Sequence, residues 1–97
     1  MSLTVNIYYT GENGNAKKFA EEMLSSGLVT KIRKEAGNQR YEYFIPMENS
    51  ETVLLIDQWE NEEALDLHHK SPMMKKIARL REKYKLKMYP KKYKEIK

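Results

Sequence analysis

The tetrapeptide Val53-Leu54-Leu55-Ile56 sits inside the extended-looking segment Thr52–Trp59 and is the longest apolar run in the chain. A strand with one wet face alternates apolar and polar residues. A strand apolar on both faces asks for cover on both sides, and so for a central place in a sheet. A membrane span needs about 20 apolar residues, and this run is far shorter. The rest of the chain must therefore supply flanking strands and a helical layer.

The flanking patterns do so. Leu3, Val5, Ile7 and Tyr9 alternate with Thr4, Asn6 and Tyr8, which predicts a first strand with two unlike faces. Gly11 to Asn15 reads as a loop with Asn15 as helix cap. Ala16, Phe19, Ala20, Met23 and Leu24 follow at helical spacing. Gly27 ends that helix, and Leu28, Val29 and Ile32 resume a bent helical path until Gly37. Tyr41–Ile45 reads as a second strand, and the polar, punctuated segment 46–50 as a hairpin connection into Thr52–Trp59. Asn61 caps a second helix, with Glu62 and Glu63 in its first turn. Ser71-Pro72 reads as a new cap and first helical position, before a stripe of Met73, Ile77, Leu80 and Tyr84. Leu86, Met88 and Tyr93 mark a last strand, and Pro90 assigns it to an edge.

The order is βαββαβ. It predicts an α+β, ferredoxin-like domain spanning residues 1–97, with one four-stranded antiparallel sheet and two helices on one face. The other face is left bare, with tyrosines and aliphatic groups on it, so a partner is expected there. With 97 residues, a single core removes about two-thirds of the unfolded surface from water. The chain has no cysteine, which excludes thiolate catalysis, cysteine-based zinc sites and disulfide scaffolds. Residues 1–6 lack the features of a signal peptide, so a soluble, cytoplasmic protein is expected.

Charge is uneven. Residues 1–69 hold six Lys/Arg against twelve Asp/Glu, whereas residues 70–97 hold twelve against two. The basic third could meet an anionic partner. No RNA-recognition pattern occupies Thr52–Trp59, and the lysines around Leu86 and Met88 read as solvated edge-strand residues, so no nucleic-acid partner is expected.

Few residues can carry chemistry. His68 and His69 are adjacent and diverge by about 100° on a helix, which disfavours a shared metal. His68 lies near the inner stripe, where it is either a hydrogen-bonded core residue or a group facing a pocket. Trp59 either plugs the end of the core or lines a cavity. Asn6 is unusual inside a strand and reads as a surface residue or as an amide aimed at a ligand. Tyr8, Tyr9, Tyr41 and Tyr43 serve sheet packing or an aromatic ligand.

Taken together, several segments resemble the antibiotic biosynthesis monooxygenase family. They are Arg33-Lys34-Glu35-Ala36-Gly37-Asn38 before Tyr41-Glu42-Tyr43, then Leu55-Ile56-Asp57-Gln58-Trp59-Glu60-Asn61, Ala64-Leu65-Asp66-Leu67-His68 and Lys70-Ser71-Pro72. The resemblance implies a homodimer joined through its sheet faces as a dimeric α+β barrel, with a hydrophobic pocket between sheet and helices. It implies oxidation of a small quinol- or phenol-type aromatic by molecular oxygen, without flavin or metal. His68 takes the place of the family's helix histidine as base or orienting group. Asn6, Trp59, Tyr43 and Tyr8 are the implied substrate-binding residues. Many relatives carry a second histidine after Ser-Pro, where this chain has Met73. Haem-degrading relatives carry an axial histidine in the stretch around Ala78, where this chain has none. The alternative reading is a non-catalytic dimeric domain that binds a small ligand or an anionic partner.

Overall fold

A computed structural model describes residues 2–96. The elements are β1 (Leu3–Thr10), α1 (Asn15–Ser25), α2 (Leu28–Arg33), β2 (Asn38–Phe44), β3 (Thr52–Trp59), α3 (Glu62–His69), α4 (Met73–Lys83) and β4 (Lys87–Lys94). The sheet order is β2-β3-β1-β4, all pairs antiparallel. This is the expected βαββαβ architecture, with each helical connection broken into two helices. The apolar run lies on an interior strand, as its composition requires.

Strand alternation sorts the sheet into two faces. Leu3, Val5, Ile7 and Tyr9 of β1 lie opposite Trp59, Asp57, Leu55 and Val53 of β3 and face the helices. Tyr41 and Tyr43 of β2 join them through register with Asp57 and Leu55. The helices close over this face with Phe19 and Met23 of α1, Val29 and Ile32 of α2, Leu65 of α3 and Ile77 of α4. The second face carries Asn6, Tyr8, Leu54, Ile56, Phe44, Tyr89 and Tyr93 with no helix over it. The cover expected on both sides of Val53–Ile56 is present on one side within a single chain.

Local details revise two readings and bear out two others. The residue that caps α1 is Gly14, in the left-handed region, and its N–H is held by the Glu51 carboxylate at 3.1 Å. Asn15 instead donates its side-chain amide to the Tyr84 carbonyl at 3.2 Å, tying α1 to the end of α4. Ser71 does not cap α4 through its hydroxyl, which is buried and unpartnered; Pro72 holds the cap position. Asn61 caps α3 as its sequence predicts, accepting from Ala64 N–H at 2.9 Å. Gly27 has φ of 85° and ends α1 as expected.

β4 stays paired with β1 through Pro90, opposite Ile7. All eight of its residues are exposed, so the expected inward apolar row on this strand is incomplete: Met88, Pro90 and Lys92 point to the helix side but are not covered. At the opposite edge, Arg33 donates from Nε and Nη2 to the Tyr41 carbonyl at 3.1 and 2.9 Å. That contact satisfies an outward β2 carbonyl and blocks it from pairing with another strand.

Candidate functional site

The space between sheet and helices divides in two. Over β2 and β3 it is filled by an aromatic and polar cluster. Trp59 is fully buried and donates its indole N–H to Asp57 Oδ1 at 2.6 Å. The two residues share a face because they are two apart on a strand. The His68 ring stacks on Trp59 with centroids 4.7 Å apart and meets Tyr41 edge-on. His68 Nδ1 lies 3.1 Å from Glu35 Oε1. Glu35 reaches it because the following loop packs close against α3. Gly37 has φ of 84°, and a Cβ there would stand 2.5 Å from Ala64 Cβ, so only glycine fits.

Electrostatics in this cluster are governed by desolvation. Burial raises the Asp57 carboxyl to about 7; the Trp59 hydrogen bond opposes the rise and Glu35 adds to it. Burial also lowers the His68 imidazole, against the Glu35 hydrogen bond that favours its charged form. Tyr41 and Tyr43 are pushed well above the ordinary phenol range, chiefly by burial, and stay neutral.

Over β1 and β4 the same layer is open. A cavity of about 520 Å³ lies between these strands and α3 and α4. Val5, Ile7, Leu65, Met74 and Ile77 give it apolar walls. Tyr9, Glu62, Asp66, His69, Arg81 and Lys92 add polar groups. Its size is that of a small-molecule site, and its lining is of the usual kind, apolar with a few placed polar groups. The void follows from β4, whose helix-side residues are a thioether, a proline and a lysine rather than large rings.

The structure separates the residues singled out from sequence. His68 and Trp59 touch each other, and Tyr43 lies nearby on β2, but none of the three lines the large cavity. His68 is 3% exposed and fills core space, with Glu35 as its polar neighbour. Trp59 plugs the core. Asn6 and Tyr8 sit on the far face of the sheet, because their parity on β1 is opposite to that of Val5 and Tyr9. The backbone of the sheet therefore stands between them and His68. Asn6 Oδ1 is buried there without a partner.

Sequence reasoning weighed His69 only beside His68, as a disfavoured metal pair, and did not single out Asp57 or Arg81. Asp57 had a legible signal: it shares parity with Val53, Leu55 and Trp59, so a carboxylate was being sent inward. His69 and Arg81 carried no such mark. Among the described residues no three His, Asp or Glu side chains converge as a metal site would require, and no helix is long and apolar enough to cross a membrane.

Known folds place this arrangement. A conserved protein from Methanosarcina mazei superposes with a TM-score of 0.84 at 22% identity, covering 99% of this chain and 94% of the other. PA3566 from Pseudomonas aeruginosa gives 0.81 at 23%, with 99% and 95% covered. SnoaB of Streptomyces nogalater, a cofactor-independent oxygenase, gives 0.81 at 10%, with 99% and 94% covered. At these identities the likeness is one of fold. No functionally curated protein matches the sequence. Residues 2–80 match the family described as antibiotic biosynthesis monooxygenase, and the chain belongs to that family.

Proposed function

We propose that this protein is a monooxygenase that oxidises a small electron-rich aromatic, of quinol or phenol type, with molecular oxygen and no other cofactor. The observation that carries the reading is the apolar cavity between sheet and α3/α4 in a chain of this family. The fold shared with a cofactor-independent oxygenase supports the cofactor-free part. In such a reaction the ionised arene supplies the electrons. One oxygen atom enters the ring, the other leaves as water, and no external reductant is needed. The protein's share is to hold the arene, exclude water and manage its proton.

In this reading His68 acts as a positioning residue. Its contacts to Glu35 and Trp59 hold α3 at a set roll against the sheet, and α3 presents the cavity wall. Small displacements of a wall can cost about 100-fold in rate. The second copy expected from the open face covers Tyr8, Phe44, Tyr89 and Tyr93.

Oxygen uptake with a panel of quinols and hydroxylated polycyclic aromatics tests the activity. At least one member should consume oxygen in proportion to enzyme, and His68→Ala should lower its turnover. Uptake no faster than in buffer across the panel would leave the domain as a ligand-binding one. Light scattering at micromolar concentration should return twice the mass of one chain; a single-chain mass refutes the dimer.

A further inference from the structure

Adjacent histidines on α3 have different surroundings. His68 is turned into the aromatic cluster, whereas His69 is turned to the cavity. Across the same cavity stands Arg81 of α4, half-buried, its Nη1 against the Met88 thioether. A thioether is a weak acceptor. Among the described residues Arg81 has no carboxylate within ion-pair distance. The other charged groups of the cavity are accounted for differently. Lys92 and Glu62 pair with each other, and Asp66 stands on α3 one turn before His69. Arg81 is thus a cation with no carboxylate partner, beside the apolar wall that Val5, Ile7 and Ile77 give the cavity.

Resting on the monooxygenase reading, we propose that His69 and Arg81 are the ionising pair of this cavity: His69 accepts the proton of a bound arene hydroxyl, and Arg81 holds the oxyanion so formed. The O–H bond breaks, its electron pair stays on the substrate oxygen, and the proton makes imidazolium of His69. The substrate class follows: a neutral hydroxyarene that can ionise, not an ether or a plain hydrocarbon. The cavity already holds one phenol that feels this field. Burial raises Tyr9 to about 12, while Arg81 opposes the rise. Burial prevails for the enclosed Tyr9, but a more acidic hydroxyl at the mouth is tipped to the anion.

The probe is 4-nitrophenol, whose phenolate is coloured, compared with its methyl ether. Bound to the protein, it should ionise about one pH unit lower than free, which is about tenfold more phenolate at a given pH, and the ether should bind more weakly. Arg81→Gln should abolish the shift and Arg81→Lys should restore part of it. Arg79→Gln, on an exposed position of the same helix, should leave it intact. For an arene that is turned over, His69→Gln should lose activity near neutrality and recover it above the arene's own pKa. An unshifted probe, or a shift that survives Arg81→Gln, overturns the pair, as does a His69→Gln profile identical to the parent's. The two readings fail separately. A shifted probe with no oxygen uptake from any arene sinks the monooxygenase and keeps the anion site. Oxygen uptake with an unshifted probe does the reverse.

Discussion

The two halves of the layer between sheet and helices differ sharply. Over β2 and β3, Tyr41, Trp59 and His68 are buried against one another and fill the space. Over β1 and β4, the helix-side residues of β4 are Met88, Pro90 and Lys92, and a cavity of about 520 Å³ remains. Both halves share the same fold, strand spacing and helical cover. The lesson is that side-chain volume on one edge strand decides whether a ferredoxin-like layer is a core or a container. Protein interiors pack like organic crystals, so a missing ring is not made up by relaxation alone. The filled half can then serve as the rigid wall against which the open half is held.

The contrast can be broken most forcefully at Trp59. Trp59→Ala removes the largest fully buried side chain and leaves Asp57 without its indole donor. A loss of about 3–5 kcal/mol is expected, read by urea unfolding, with the variant unfolding at much lower denaturant. A loss under 1 kcal/mol would mean that the filled half is not the stable one.

Ionisation of Asp57 sharpens the contrast next. Its folded carboxyl lies near 7 against an ordinary 3.8, so the folded state keeps a proton that the unfolded chain has released. The stability this proton represents is fully present below about pH 4 and is lost as pH rises toward 7. His68 acts in the opposite direction: its folded imidazole is lowered, so its share of stability is lost as pH falls below 6.5. Asp57→Asn keeps an acceptor for Trp59 and removes the ionisation. It should be more stable than the parent at pH 8 by a few kcal/mol and show no decline between pH 4 and 7 from this group. An unchanged pH profile of unfolding would show that Asp57 ionises freely.

The smallest expected effect comes from filling the open half. Ala78 lines the cavity on α4. Ala78→Leu should change stability by no more than about 1 kcal/mol in either direction, yet exclude 4-nitrophenol. A variant that loses several kcal/mol while still binding the probe would mean that the void lies elsewhere.

Much of this molecule was legible in its residues. The interior place of Thr52–Trp59, the α3 cap at Asn61 and the break at Gly27 all come from local rules of hydrogen bonding and backbone freedom, and these act within a few residues. The inward Asp57 was legible too, from parity, as was the opposite parity of Asn6. The cap at Gly14 was less so, because the Glu51 carboxylate takes the Gly14 N–H and the Tyr84 carbonyl takes the Asn15 amide from far along the chain.

The functional residues depended on tertiary structure for a different reason. Two neighbouring histidines differ by about 100° on a helix, and sequence alone does not say how that helix rolls. The roll of α3 is set by Leu65 and Ala64 against the sheet, by the close approach of Gly37 and by the Glu35 contact. That roll buries His68 and leaves His69 at the cavity. In the same way, Arg81 is one of many lysines and arginines in a basic stretch until α4 is docked. Only the docked structure shows it without a carboxylate beside an apolar wall. Sequence determined the strands, the helices and their order, because those follow from spacing. Which polar groups meet, and where space is left between them, was decided by the packing of whole elements against one another.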